Sequence, residues 1–310
     1  MAAAVEESHS RAERPGWFRR FRRSDNARGY ALLSPTLLVV VGGLALPLVA
    51  LLMLSFWTQR GFEIDTAFTL DNYETFFNYS EKPIYLTLLG RSLWMSFTAT
   101  IVILLVTYPM AYFLAFKVKQ RKILWLILIT VPFWTSYLLR VFAWKLILGY
   151  DGVINSGLQS LGILQQPLEF LLYNKFAVTV TLAHAWVAFA ILPIYVSLEK
   201  IDRALLEAAA DLGDSPFRRF WRITFPLSLP GVIAGALLVF IPTVGDYVTP
   251  SLVGGTEGIM IGNIIQTLFG KVNNAPLGAA VSLMTMVIVT LIVCLFLGGT
   301  AVIRKIAQKV

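Results

Sequence analysis

Residues 199–226 read EKIDRALLEAAADLGDSPFRRFWRITFP, a charged segment that lies between two long apolar stretches. Asp202 stands where its side chain can cap the start of a helix. The run Ala204–Leu212 that follows consists mainly of strong helix formers. Gly213 then suits the left-handed backbone position at which many helices end. This half of the segment therefore predicts one short helix that ends at Gly213.

The other half of the segment predicts a second helix. Asp214 or Ser215 can cap it, and Pro216 fits its first turn. We expect Pro226 to end it, because proline lacks the backbone N–H that continues a helix. The whole segment then forms two short helices joined by a glycine elbow at a membrane surface, with the small residues Ala208, Ala209 and Ala210 on the first helix.

The rest of the chain indicates an integral membrane protein. Hydrophobic residues make up 57% of the 310 residues and charged residues only 14%, against about 25% charged residues in soluble domains. A bilayer-spanning helix needs about 20 mainly apolar residues. The pattern predicts an all-α protein with six spans at about residues 32–56, 93–116, 123–147, 176–198, 231–248 and 279–303.

The distribution of basic residues predicts the orientation. Most of the 26 lysines and arginines precede the first span or lie in the second loop, the fourth loop and the tail. Because cytoplasmic loops are enriched in these residues, both termini and the segment 199–226 are placed in the cytoplasm. Residues 1–29 form a basic arm rather than a cleavable signal, because the first apolar run is too long for one. Residues 30–310 form one membrane domain.

The spacing within the charged segment resembles the permease loop of ABC importers. Glu207-Ala208-Ala209 is followed after three residues by Gly213, and then by Ile223 and Pro226. Phe225 stands where leucine is commoner in that family. The resemblance implies a type I importer permease of six spans with a cytoplasmic coupling helix. It implies that Glu207, Ala208 and Ala209 meet the ATPase subunit, and that Gly213 sets the angle between the two helices.

Three further stretches resemble spermidine/putrescine permeases, and specifically the first of their two permease subunits. They are residues 132–144 (PFWTSYLLRVFAW), 241–255 (IPTVGDYVTPSLVGG) and 261–263 (IGN). The resemblance implies a periplasmic binding protein, a second permease and an ATPase dimer as partners in a bacterial inner membrane. It favours polyamine import. The alternative is the same architecture for another small solute, such as an opine, an amino acid or another amine.

Ionisable residues within spans are costly and usually face a cavity or a partner. Arg140, His184 and Asp246 fall in the outer half of their predicted spans. We hypothesise that Asp246 offers a negative charge to a cationic substrate. The alternative is that it forms a structural pair with Arg140. The aromatic residues Trp134, Tyr137, Trp144 and Tyr247 either supply cation–π faces to the substrate or belong to the interfacial belt.

Other functional classes lack the residues they need. There is no phosphate-binding GxxxxGK[ST] loop, so ATP and Mg²⁺ are expected on a separate subunit and no cofactor on this chain. An intramembrane enzyme has little to build on, with two histidines and a single cysteine, Cys294. No metal site is predicted, and the basic loops indicate lipid contact and topology rather than nucleic acid. An ion-driven secondary transporter is the rival transport class, although no inverted repeat is evident.

Overall fold

The computed structural model describes residues 25–77 and 83–307. The chain divides into one unit that ends at Met53 and another that begins at Leu54. The helix of the first unit, α1 (Asp25–Ser55), runs across this boundary and contains Pro35 and Pro47. It starts before the predicted limit of the basic arm at residue 29, and residues 1–24 of that arm lie outside the described residues.

Short strands and helices of very different lengths make up the second unit. In chain order they are β1 (Thr58–Arg60), β2 (Glu63–Asp65), α2 (Asp71–Phe77), α3 (Ile84–Phe116), α4 (Lys122–Thr130), α5 (Tyr137–Leu148), α6 (Val153–Ser160), α7 (Lys175–Glu199), α8 (Arg203–Asp211), α9 (Pro216–Arg219), α10 (Phe225–Val244), α11 (Ile261–Gly270) and α12 (Ala275–Ala307). The two strands form an antiparallel hairpin in which Gln59 pairs with Ile64. Short 3-10 helices span Val131–Trp134 and Glu169–Leu171, and π-helical turns span Phe220–Thr224 and Pro250–Gly254.

Five helices of the described residues are long and apolar enough to cross a membrane, and the number is six if one bent pair counts as a span. This agrees with the predicted all-α membrane architecture. The bounds of the spans differ from the prediction mainly at two places. The second span begins at Ile84 rather than near residue 93, and the fifth is part of a helical stretch from Pro216 to Val244.

The third predicted span, residues 123–147, is broken rather than continuous. The helical stretches Lys122–Trp134 and Tyr137–Ser160 meet at an angle of 83°. Pro132 removes a backbone donor near the break, and Thr135 and Ser136 leave the helical conformation with ψ angles of 156° and 132°. The apolar composition of the stretch predicts its length but not this bend.

The core of the second unit lies where α3, α7 and α10 pack together. Gly231 and Gly235 on α10 allow its backbone to approach α7 closely. A Cβ atom on Gly231 would lie 2.3 Å from the carbonyl oxygen of Pro193, and one on Gly235 would lie 3.0 Å from that of Ala190. Small residues four apart are a common means of close helix contact in membranes. The two spans on either side of the charged segment are therefore held tightly to each other.

Candidate functional site

The first arm of the charged segment is helix α8, and its predicted cap is confirmed. The side chain of Asp202 accepts a hydrogen bond of 3.0 Å from the backbone N–H of Ala204. Ala209 is buried, whereas Glu207 and Ala208 are exposed. The helix thus turns one alanine toward the protein and presents a carboxylate and small side chains to the outside.

The elbow after α8 has the geometry of a complete Schellman motif. Gly213 has a φ of +85°, in the left-handed region that favours glycine. Its N–H donates to the carbonyl of Ala210 at 2.9 Å, and the N–H of Asp214 donates to that of Ala209 at 2.9 Å. These bonds satisfy carbonyl groups at the helix end, so the direction of the chain after α8 is fixed by the backbone.

The second arm begins with a serine cap. Ser215 Oγ accepts from the N–H of Arg218, and Pro216 occupies the first turn of α9. Asp214 forms ion pairs with Arg218 at 3.5 Å and with Arg222 at 3.2 Å. Both arginines are largely exposed, so these pairs contribute little on their own.

The predicted helix end at Pro226 is wrong. The chain passes from α9 through the π-helical turn Phe220–Thr224 directly into α10 without a break. In that turn the N–H of Phe225 donates to the carbonyl of Phe220, one residue farther back than in an α-helix. The wider turn accommodates the proline ring at the start of α10. The second arm is therefore continuous with the fifth span.

An aromatic cluster that the sequence analysis missed joins this continuous helix to α3. The ring of Phe220 lies 5.8 Å from that of Tyr108 and 6.1 Å from that of Tyr112. The Tyr108 hydroxyl is also 2.9 Å from Oγ of the buried Ser228. The signal was present in the sequence, because Phe217, Phe220, Trp221 and Phe225 recur at helical spacing. These contacts connect the segment to a span distant in sequence.

On another part of the second unit, Asp246 lies on irregular backbone, in the break between α10 and the helical turns that lead to Pro250–Gly254. The residue is only 9% exposed. Its Oδ1 accepts from the N–H of Val248 at 2.9 Å and of Thr249 at 3.4 Å. Its Oδ2 accepts from the hydroxyl of Tyr137 and, at 2.7 Å, from that of Thr249. Thr249 is a partner that sequence reasoning did not identify.

The alternative pairing of Arg140 with Asp246 is not formed. Arg140 instead donates from Nη1 to the carbonyl of Ala185 at 3.1 Å. Its guanidinium carbon lies 5.0 Å from the ring centre of Phe133 and 5.8 Å from that of Tyr137. Tyr137 thus contacts both charged residues, with its ring toward the arginine and its hydroxyl on the carboxylate.

The four aromatic residues predicted for the substrate path are not brought into one site. Tyr137 joins Asp246, whereas the ring of Trp144 packs 5.4 Å from that of His184. Trp134 is 86% exposed, and none of the ring contacts among the described residues includes it. Tyr247 is about half exposed, and its backbone carbonyl accepts from Asn263 at 3.0 Å. The structure therefore assembles Tyr137, Arg140 and Asp246, and leaves the other three apart.

The chain is similar in sequence to known membrane transport proteins. The family described as binding-protein-dependent transport system inner membrane component matches residues 22–308. The spermidine/putrescine transport system permease protein PotB of Haemophilus influenzae is 36% identical over 261 residues, which cover 84% of this chain and 90% of that protein. The inner membrane ABC transporter permease protein YdcU of Escherichia coli K12 is 32% identical over 257 residues, covering 79% and 80%.

A solved structure supports the same fold. One chain in the crystal structure of a bacterial alginate ABC transporter, in complex with an alginate pentasaccharide-bound periplasmic protein, superposes with a TM-score of 0.69 over 90% of this chain and 95% of that chain. At 18% identity this likeness concerns the fold alone.

These matches agree with the predicted class and give no support to an enzyme or an ion-driven transporter. The relatives are transport subunits, and the matched family spans nearly the whole length of the described residues. The chain therefore belongs to the family of binding-protein-dependent transport system inner membrane components, the multi-pass permease subunits of ABC importers.

Proposed function

We propose that this permease imports polyamines of the spermidine and putrescine type. The observation that carries the proposal is the 36% identity to the PotB permease over most of both chains. The buried carboxylate of Asp246, with no cation paired to it among the described residues, is consistent with a cationic substrate. Opines, amino acids and other small amines are the alternative substrates within the same architecture.

The proposed assembly contains an ATPase dimer, a second permease of similar fold and a periplasmic binding protein. An ABC importer permease needs an ATPase and a binding protein to work, and ATP with Mg²⁺ is assigned to the ATPase because this sequence lacks a phosphate-binding loop. We place both termini and the segment 199–226 in the cytoplasm, on the strength of the basic residues in these regions.

The proposed docking surface for the ATPase is the exposed side of α8. Glu207 and Ala208 are exposed there, and small side chains allow two protein surfaces to approach closely. Ala209 and Gly213 support this surface from within by packing and by fixing the elbow. Ile223 and Pro226 lie where the second arm becomes the fifth span, so movement of α8 by the ATPase is passed to the membrane helices.

The proposed substrate path runs past Asp246 in the outer half of the membrane. Tyr137 and Arg140 adjoin it, and Trp134, Trp144 and Tyr247 are candidate aromatic surfaces farther along the path. The faces of Phe133 and Tyr137 already lie against Arg140, so the cation–π role is better assigned to rings without such a cation. The carboxylate remains the principal candidate for recognising an ammonium group.

Uptake by the assembled importer in proteoliposomes tests the proposal. Labelled spermidine, putrescine, an opine and an amino acid are offered with ATP inside and the binding protein outside. We expect ATP-dependent accumulation of the polyamines and an uptake reduced at least tenfold in Asp246→Asn, which retains an oxygen for the backbone cap but loses the charge. Accumulation of only uncharged or acidic solutes would contradict the polyamine assignment.

A further inference from the structure

Tyr137 and Asp246 link two broken helices of this permease. Tyr137 is the first residue of α5, immediately after the bend at Thr135 and Ser136. Asp246 lies in the other break, directly after Gly245, the C-cap residue of α10. The hydrogen bond from the Tyr137 hydroxyl to Asp246 Oδ2 joins these two breaks directly. Irregular backbone inside a membrane protein is tolerated where it lines a cavity or is buried in protein.

The two oxygens of the Asp246 carboxylate have different partners. Oδ1 accepts from the backbone N–H groups of Val248 and Thr249, so it caps the helical turn that follows. Oδ2 accepts from two hydroxyl groups, those of Tyr137 and Thr249. Oδ1 is thus bonded only to backbone N–H groups, whereas Oδ2 is bonded to side-chain hydroxyl groups that can rotate away.

The hydroxyl groups around Oδ2 share too few protons for all of their contacts. Tyr137 Oη and Thr249 Oγ1 lie 2.7 Å apart, and each is also hydrogen-bonded to Oδ2. Three close oxygen pairs share two hydroxyl protons, because each hydroxyl donates only one. Tyr137 therefore has a second acceptor in Thr249, and it can leave Asp246 without losing a hydrogen-bond partner.

We propose that Tyr137 is a specificity-determining residue that occupies Asp246 Oδ2 when no cargo is present and yields this oxygen to an ammonium group of the cargo. The inference rests on the proposed import of a cationic solute. On arrival of the cation, the Tyr137 proton turns to Thr249 Oγ1 while Oδ1 keeps the helix cap in place. The two broken helices stay joined through Tyr137 and Thr249 during this exchange.

Arg140 is bound elsewhere and does not compete with the cargo for Asp246. The guanidinium lies against the Tyr137 ring and donates to the carbonyl of Ala185 rather than pairing with the carboxylate. The tyrosine thus contacts the chain's own cation with its ring and Asp246 with its hydroxyl. The carboxylate is kept from an internal ion pair, which a cargo ammonium would otherwise have to displace.

The test is equilibrium binding of labelled spermidine to the complete permease–ATPase complex in the absence of the binding protein. Tyr137→Phe keeps the ring over Arg140 and removes the hydroxyl. Because the cation no longer displaces a hydrogen bond to a carboxylate, we expect binding to tighten by about tenfold. Asp246→Asn in addition to Tyr137→Phe should abolish that gain. Tyr150→Phe, on an exposed outer tyrosine, is the matched control and should change nothing.

Unchanged or weaker spermidine binding in an assembled Tyr137→Phe complex would overturn the proposal, because a purely structural tyrosine gives that result. If this variant does not assemble, Thr249→Val removes the acceptor to which the Tyr137 proton turns. The proposal then expects weaker spermidine binding, and unchanged or tighter binding would overturn it. Spermidine uptake by the wild-type importer is measured alongside. Its absence would refute the proposed function and the inference together, whereas its presence without the gain in Tyr137→Phe refutes the inference alone.

Discussion

Arg219 donates a hydrogen bond of 3.2 Å from Nη1 to the backbone carbonyl of Leu206, which joins the second arm of the charged segment to the first. The elbow at Gly213 lies between the two arms. With the Schellman bonds at that elbow, the contact makes the segment one structural unit rather than a loose loop. We therefore expect a displacement of α8 to be carried to α9 and, without a helix break, to α10.

Replacing Arg219 by Met should weaken the link between ATP hydrolysis and transport. The variant keeps much of the apolar stem but loses a charged hydrogen bond worth about 1.5–3 kcal/mol. We expect ATP hydrolysis to persist while uptake per ATP falls several-fold. Arg218→Met is the matched control, because Arg218 is exposed and makes only a surface ion pair. Equal effects of the two variants would show that the contact with Leu206 has no special role.

The elbow geometry can be tested separately at Gly213. Alanine in the left-handed conformation costs about 1–2 kcal/mol, whereas asparagine tolerates it better. Gly213→Ala should therefore reduce co-purification of the ATPase and coupled uptake more than Gly213→Asn does. Gly157→Ala is the control. Gly157 lies on α6 without a positive φ, nothing lies near an added Cβ, and the substitution should leave both measurements unchanged. A larger loss of these two measures in Gly213→Asn than in Gly213→Ala would contradict the need for a left-handed backbone at this elbow.

Close packing of α10 on α7 predicts a strong effect at Gly231. Its Cβ would lie 2.3 Å from the carbonyl oxygen of Pro193 and 2.4 Å from Ser197 Oγ. Gly231→Val should destabilise the permease by about 1–3 kcal/mol or more through overpacking. The readout is the thermal midpoint in detergent and the yield of monodisperse protein. Gly298→Val on α12, with nothing near its Cβ, should have a small effect, and a similar loss there would refute this packing argument.

The segment that follows α5 is held by one buried amide, that of Asn155. Asn155 is fully buried, accepts from the N–H of Leu168 at 2.8 Å and donates to the carbonyl of Gly149 at 3.1 Å. Asn155→Leu leaves these backbone groups unsatisfied, at about 1–3 kcal/mol each. We expect faster protease cleavage in residues 150–174 without loss of the other spans. Gln159→Leu, on an exposed side chain of the same helix, should not accelerate cleavage.

Local chemistry made the charged segment largely predictable from the sequence. Asp202, Gly213, Ser215 and Pro216 each have a strong preference for the position they occupy, so the caps and the elbow follow from short-range rules. Pro226 was misjudged because the π-helical turn before it depends on the aromatic packing of Phe220 against α3. That packing involves residues more than one hundred positions apart, which no local rule describes.

The site at Asp246 was predictable in some of its members and not in its connections. The sequence placed Arg140 and Asp246 in the outer half of their predicted spans, because counting residues along a span gives depth. It did not give the rotation of each helix or the bend at Thr135, which together decide that Asp246 bonds to Tyr137 rather than to Arg140. Thr249 was missed because hydroxyl groups are frequent near helix ends and carry no charge to mark them.

The most direct test of the coupling role assigned to α8 is the labelling of a single cysteine in vesicles of known orientation. In a Cys294→Ser background, Ala208→Cys places a thiol on the exposed side of α8. A membrane-impermeant maleimide should label it in inside-out vesicles and not in right-side-out ones, and an excess of the ATPase subunit should block the labelling. Labelling from the periplasmic side, or labelling that the ATPase does not affect, would contradict the role of this segment as the contact through which ATP drives import.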